Sequence, residues 1–204
     1  MKEKKTLKRA STRFWLSISA ALLTTACTEA AQRNASRALD SSNRSNEWKL
    51  AGLLPGHTTI ARAETLLGKA SKKDSDNHSA MWRACGGDEL IVDLDGQGIV
   101  QSVRAAKGSG HLRADCDHSA SGVSKWMTSK GMRLGNLTSR VLQLYGEPDS
   151  RSPSTKDGQR LELLYYAFDW AGPDVPQVME VLCTAEKDGE PGRVVEITLA
   201  AASL

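Results

Sequence analysis

The chain has 204 residues, 40% of them apolar, and carries 27 Lys and Arg against 24 Asp and Glu. That is long enough for one large domain or two small ones. Residues 1–26 hold six of the basic residues and one of the acids, so the remainder has 21 against 23, a net charge of −2. The basic surplus belongs to the head of the chain. It therefore gives no argument for nucleic-acid binding, which needs a basic patch on the folded part.

Residues 1–26 read as an export signal. Lys2, Lys4, Lys5, Lys8, Arg9 and Arg13 precede the apolar run 14–23, which is too short to span a bilayer. The run leads to Leu22-Leu23-Thr24-Thr25-Ala26-Cys27, which resembles the bacterial lipoprotein box, although Thr24 stands where leucine is usual. Two outcomes stay open: acylation of Cys27, or ordinary cleavage after Ala26 or Ala30 and a soluble secreted protein. Residues 27–47 are small and polar and are expected to form a flexible tether, lipid-anchored in the first case. Such a chain reaches about 25 Å on average.

A first α+β unit is expected over residues 48–106. Gly56 makes a turn and Thr58 or Thr59 caps a helix. Ile60, Ala63 and Leu67 form its apolar face, and Gly68 ends it. Strands are expected over 79–85, 89–95 and 98–106, with Asp95-Gly96-Gln97-Gly98 as the hairpin turn between the last two. Residues 107–130 are a connector in which Val123, Trp126 and Met127 have helical spacing, so it is expected to supply a first helix to the second unit.

The second unit, 131–204, repeats the first. Leu134-Gly135-Asn136 makes the turn, Thr138 is the expected N-cap, and Leu137 and Leu142 have the spacing of a hydrophobic staple. Val141, Leu144 and Tyr145 share a face, Gly146 is the left-handed exit and Pro148 the stop. Strands are expected over 160–170, 177–185 and 193–201. The run Gly98-Ile99-Val100-Gln101-Ser102-Val103 aligns with Gly192-Arg193-Val194-Val195-Glu196-Ile197, so the repeat covers helix and sheet together. Helix then hairpins, twice over, predicts the α+β class: two tandem repeats, each a short helix on an antiparallel sheet.

A glycine turn, a Thr/Ser cap, a short helix ending in Leu/Tyr-Gly-x-Pro and strands closing on Asp-Gly-x-Val-x-x-Ile resemble the SmpA/OmlA-type outer-membrane lipoprotein module. The tandem arrangement is also similar to the β-lactamase inhibitor proteins. The resemblance covers about residues 50–201. It implies an envelope or secreted protein as partner, gripped in the inhibitor family by aromatic side chains on open sheet faces and loops.

Export gives the cysteines meaning, because disulfides persist outside the cytoplasm. With Cys27 assigned to lipid, the expected bridge joins Cys85 to Cys116 and would add about 3 to 4 kcal/mol by loop closure. Cys183, in an apolar run, reads as a buried inert thiol, and its pairing with either of the others stays open.

Chemistry is sparse. His111, Cys116, Asp117 and His118 are metal-type ligands, but their spacing fits no closed zinc pattern, and no metal or cofactor is expected. Cys183 with His57 or His78 is the one imaginable thiol nucleophile, and nothing near it in sequence activates it. No nucleophile elbow, phosphate loop or His-Glu-x-x-His occurs. Asp93, Asp95, Glu162 and Asp169 read as a solvated face. Trp82, Tyr165, Tyr166, Phe168 and Trp170 lie on expected strands and are the candidate partner-binding group. Tyr166 and Trp170 lack an aromatic counterpart in the first unit, which marks them as specialised. The expected function is non-enzymatic: an exported, lipid-anchored protein-binding module at the periplasmic face of the outer membrane, or free in the periplasm or medium. The membrane is touched only through the anchor. The alternatives are an inhibitor of a secreted hydrolase such as a β-lactamase and, behind it, a thiol enzyme.

Overall fold

Hydrophobic alternation along the strands builds one antiparallel sheet of eight strands in the computed structural model, which describes residues 46–76, 78–108, 126–168, 178–186 and 189–201. The strands are β1 (Lys72–Lys73), β2 (Ser79–Arg83), β3 (Glu89–Leu94), β4 (Val100–Ala106), β5 (Ser150–Lys156), β6 (Gln159–Ala167), β7 (Val178–Thr184) and β8 (Val194–Ala200). Their order is β1-β2-β3-β4-β8-β7-β6-β5, so the halves of the chain meet where β4 pairs with β8, from Ser102 opposite Ala200 to Ala106 opposite Glu196. All described elements fall in the compact unit Ser45–Leu204. The chain is thus of the α+β class, as expected.

Two helices, α1 (Ile60–Leu67) and α2 (Thr138–Tyr145), pack on one face of this sheet. Ala63 from α1 and Val141 and Tyr145 from α2 join the core formed by Trp82, Leu90, Val92, Val103, Leu164, Tyr166, Met179, Val181, Ile197 and Leu199. Among the described residues no helix is long and apolar enough to cross a membrane.

The Thr59 hydroxyl accepts from Arg62 N at 3.3 Å, so of the two candidate caps the second is used. In α2 the expected cap is displaced. Leu137 is the N-cap and makes no side-chain cap bond, while Thr138 is the first helical residue. The strand alongside holds this end: Leu137 bridges Arg193, Thr138 N donates to Gly192 O at 2.9 Å, and Arg140 N finds its partner in Leu137 O at 2.9 Å. The staple frame of Leu137 and Leu142 shifts with the cap. Both helices end on a glycine of positive φ, 86° at Gly68 and 76° at Gly146, with extended ψ, a region that only glycine occupies readily.

The halves make matching contacts. Ile60 N donates to Gly98 O at 2.9 Å as Thr138 N does to Gly192 O, and Val100 N to Thr58 O as Val194 N to Asn136 O, both at 2.8 Å. The register slips between Asp93 and Leu94 in one half and between Leu182 and Cys183 in the other, leaving Leu94 opposite Val100 and Cys183 opposite Val194.

The backbone corrects three sequence expectations. Strands β1 and β5 form the outer edges of the sheet, and neither was expected: β5 is polar, contains Pro153 and pairs along its length with β6, a composition suited to an edge. Trp126 and Met127 do not belong to a helix, because Met127 bridges Arg133 and Thr128 bridges Leu50; Val123 lies outside the described residues. Glu47 belongs to the folded body and not to a tether, since it is fully buried.

Candidate interaction surface

Alternation along β6 assigns the aromatics to two faces. Tyr166 is opposite Met179 and Trp82 opposite Leu90, both in the core on the helix side. Trp82 Nε1 donates to Gly68 O at 2.8 Å, and the Tyr166 hydroxyl donates to Gly146 O at 3.1 Å. Each ring therefore caps the carbonyl at a helix end with its polar tip while its body fills the core. Tyr166 does have an aromatic counterpart, Trp82, and neither is an exposed anchor. Phe168 is also in the core cluster. Three of the five candidates are thus structural, because the helix side of the strands is the side the helices cover. Trp170 lies outside the described residues, and Tyr165 alone of the five is placed on the opposite face, where it is half-buried.

Register places Tyr165 in a row that crosses six strands: Met81, Ile91, Arg104, Thr198, Glu180, Tyr165. The next row is Arg83, Glu89, Ala106, Glu196, Leu182, Leu163. Apolar side chains thus stand on β2 and β3 and again on β6 and β7, with charged groups at the β4–β8 seam. Glu196 there is nearly buried and is met by Lys156 Nζ at 2.6 Å and Arg104 Nη1 at 4.0 Å. Arg83 pairs with Glu89, and Asp93 accepts from Ser102 Oγ. Asp95 forms its turn: its carboxylate accepts from Ile99 N, Gln97 N and Gln101 Nε2, and these bonds hold its pKa below the ordinary value. Glu162 pairs with Arg151 at 3.6 Å; Asp169 lies outside the described residues.

At the N-terminal ends of the helices lie two grooves. One, of about 590 Å³, is lined by Thr138, Leu142, Arg151, Pro153 and Glu162 among others; the second, of about 320 Å³, by Ile60, Lys73, His78, Ser79 and Asp95 among others.

Cys183 is a free, fully buried thiol, so it is bridged to neither Cys85 nor Cys116. Burial pushes its pKa up, against the Thr138 hydroxyl beside it, which is the reverse of what a nucleophile needs. His57 and His78 are exposed. Cys85 is disulfide-bonded. Cys27, Cys116 and the cluster His111, Cys116, Asp117 and His118 lie outside the described residues. Among the described residues no group of three or more His, Cys, Asp or Glu could hold a metal ion.

One polar cluster escaped sequence reasoning. The Glu47 carboxylate accepts from the Tyr145 hydroxyl at 2.6 Å, Trp48 N at 2.8 Å, Ser129 N at 3.0 Å, Lys49 N at 3.1 Å and the Ser129 hydroxyl. Thr128 Oγ1 lies 2.7 Å from the Tyr145 hydroxyl, and Lys130 Nζ sits 4.5 Å from the centre of its ring. Burial raises the Glu47 pKa, but the bonds from Ser129, Tyr145, Lys49 and Trp48 outweigh it and the value is lowered. Burial and the bond to Glu47 together push the Tyr145 phenol well up. No signal in the sequence marks Glu47, since its partners Ser129 and Tyr145 are remote in the chain.

No family model matches the chain, and no curated protein does. Among solved structures it is similar to a DUF4309 family protein (YjgB) from Bacillus subtilis, at 15% identity and a TM-score of 0.42 over 77% of this chain and 88% of that one. It is also similar to a cysteine-rich secretory protein (SAV1118) from Staphylococcus aureus, at 10% identity and a TM-score of 0.40 over 78% of this chain. The match spans only 48% of that second protein. At these values neither likeness assigns an activity.

Proposed function

We propose that this chain is a non-enzymatic protein-binding module of the bacterial envelope, exported and lipid-anchored through Cys27, which presents the helix-free face of its sheet to a partner protein. One observation carries the reading. Both helices pack on the same side, and the other side holds Met81, Ile91, Leu163, Tyr165 and Leu182, all only half-buried, around a charged seam. Large apolar groups flanking paired charges suit a protein partner, with burial supplying affinity and charges supplying register.

The unit behind this face is a tandem repeat, residues 48–106 and 131–204. Support comes from the matched glycine helix ends, bulges and strand bridges of the two halves, and from Trp82 and Tyr166, which close equivalent helix ends. A repeat of this kind, with the SmpA/OmlA-type pattern of turn, helix and hairpins, suits a scaffold for binding. The free thiol, buried with a raised pKa, favours no catalytic role. A bridge from Cys85 to Cys116 would tie the end of β2 to the connector; peptide mapping without reduction should recover that pair, and recovery of Cys85 with Cys27 would refute both the bridge and the anchor.

A photo-crosslinking residue at Tyr165, introduced into the exported chain, should give a discrete crosslinked species in cells. Tyr165→Ala with Leu182→Ser should weaken capture of the crosslinked partner by roughly thirty-fold, corresponding to the ~2 kcal/mol of an interface anchor. Crosslinks at Tyr165 no more discrete than those from the exposed Arg160 would reject the binding face. Palmitate labelling that survives Cys27→Ser would reject the anchor.

A further inference from the structure

We propose that the strap formed by residues 46–51 and 127–133 is a membrane-apposition surface, taking the anionic phospholipid headgroup layer. The two segments are zipped together, with Leu50 bridging Thr128, Ala51 N donating to Met127 O at 3.0 Å and Ser129 N to Lys49 O at 3.1 Å, and the second folds on itself where Met127 bridges Arg133. Leu50 and Thr128 are buried, whereas Trp48, Lys49, Met127 and Arg133 are exposed. Met127 is 37% exposed, and Trp48, next to Lys49, is 44% exposed; with Leu66 they are the large apolar side chains exposed among the described residues.

Charge selects the partner. Segments 46–54 and 126–136 contain three basic residues, Lys49, Lys130 and Arg133, and one acid, Glu47, which is fully buried and bonded inward. Lys130 turns inward over the Tyr145 ring, so the charges these segments present to solvent are those of Lys49 and Arg133, on a chain that carries −2 beyond residue 26. An exposed aromatic beside Lys49 and an exposed methionine bridged to Arg133 match an interface of headgroup phosphates over acyl chains. Position agrees. Under the lipid-anchor reading, Trp48 is the exposed large apolar side chain nearest in sequence to Cys27 among the described residues. The surface is also preformed, because Glu47 binds amides of both strands at once. Vesicle binding itself does not require the anchor.

The test uses residues 27–204 carrying Cys27→Ser, free of both the acyl group and the basic apolar segment 1–26, sedimented with vesicles of phosphatidylethanolamine and phosphatidylglycerol (3:1) or of phosphatidylcholine alone. Binding to the anionic vesicles should exceed binding to the neutral ones by about tenfold and fall severalfold in high salt. Trp48→Ala with Met127→Ala, and separately Lys49→Glu with Arg133→Glu, should each abolish most of it with the thermal melt unchanged. The same charge reversal at Lys72 and Arg83, on strands β1 and β2, should not. Absent binding, equal binding to both vesicle types, or equal loss in the Lys72 and Arg83 variant overturns the proposal. Failure of the lipid anchor is read separately, by palmitate labelling at Cys27.

Discussion

The two halves of the sheet solve the same packing problem with different chemistry. In the first, α1 begins at a hydroxyl cap on Thr59 and its last residue, Leu67, packs half-buried against the core. In the second, α2 begins without a side-chain cap and ends in Tyr145, whose hydroxyl enters the Glu47 cluster. The outer strand is two residues long in the first half and seven in the second. Backbone contacts are thus held constant while side chains at the helix ends diverge. Geometry of this kind rests on where amides and carbonyls meet, and the residues supplying polar caps can be exchanged so long as each orphan group finds some partner.

If Trp82 and Tyr166 play one role, Trp82→Ala and Tyr166→Ala should each cost about 3 to 5 kcal/mol in chemical denaturation, and a difference of several kcal/mol between them would break the equivalence. Glu47→Ala should come next, at about 3 kcal/mol, because it strands the amides and the Tyr145 hydroxyl that now bond to it. Among the described residues only the second half has such a latch. The Glu47 pKa is lowered in the folded state, so its contribution is present at neutral pH and is lost as pH falls below the ordinary value of 4.5 through the folded value. Acid melts of wild type and Glu47→Gln should therefore converge at low pH.

Gly192→Ala separates the halves further. A Cβ there would meet Thr184 O at 2.5 Å and Thr138 Oγ1 at 2.6 Å, and the expected cost is about 1 to 3 kcal/mol. At the matching Gly98 the nearest atom is Ile60 Cγ2 at 3.5 Å, so Gly98→Ala should suffer mainly from its positive φ of 76°, about 1 kcal/mol. The smallest effects are Thr59→Ala, about 1 kcal/mol for the lost cap, and Tyr166→Phe, about 1 kcal/mol for the bond to Gly146.

The helices were legible because glycines, prolines and apolar spacing are local. Gly68 and Gly146 end them where expected, and the central strands lie within a few residues of their expected spans. Strand β5 was not legible, because Ser150–Lys156 has no apolar face and owes its form to the ladder it makes with β6. Alternation separated Tyr165 from Tyr166 but could not say which side the helices would cover; that is decided by the apolar face Tyr166 shares with Leu164, Met179, Val181, Ile197 and Leu199. The Glu47 cluster was hidden for a related reason. A carboxylate among small polar residues has the composition of a tether, and its partners come from segments that folding alone brings near.

The pairing of β4 with β8 also sets an order of events. Synthesis runs from the N-terminus, so β4 is made with Ala105 and Val103 in place and waits for its neighbour until the last strand of the sheet appears. During that interval the middle of the future sheet is an unpaired edge, open to strands of other chains. A stop codon shortly before Val194 would make the condition permanent. The truncated chain would keep both helices and the pairings of the remaining strands within each half, yet lack the one strand that joins the halves, and it should accumulate as aggregate rather than as a smaller soluble protein.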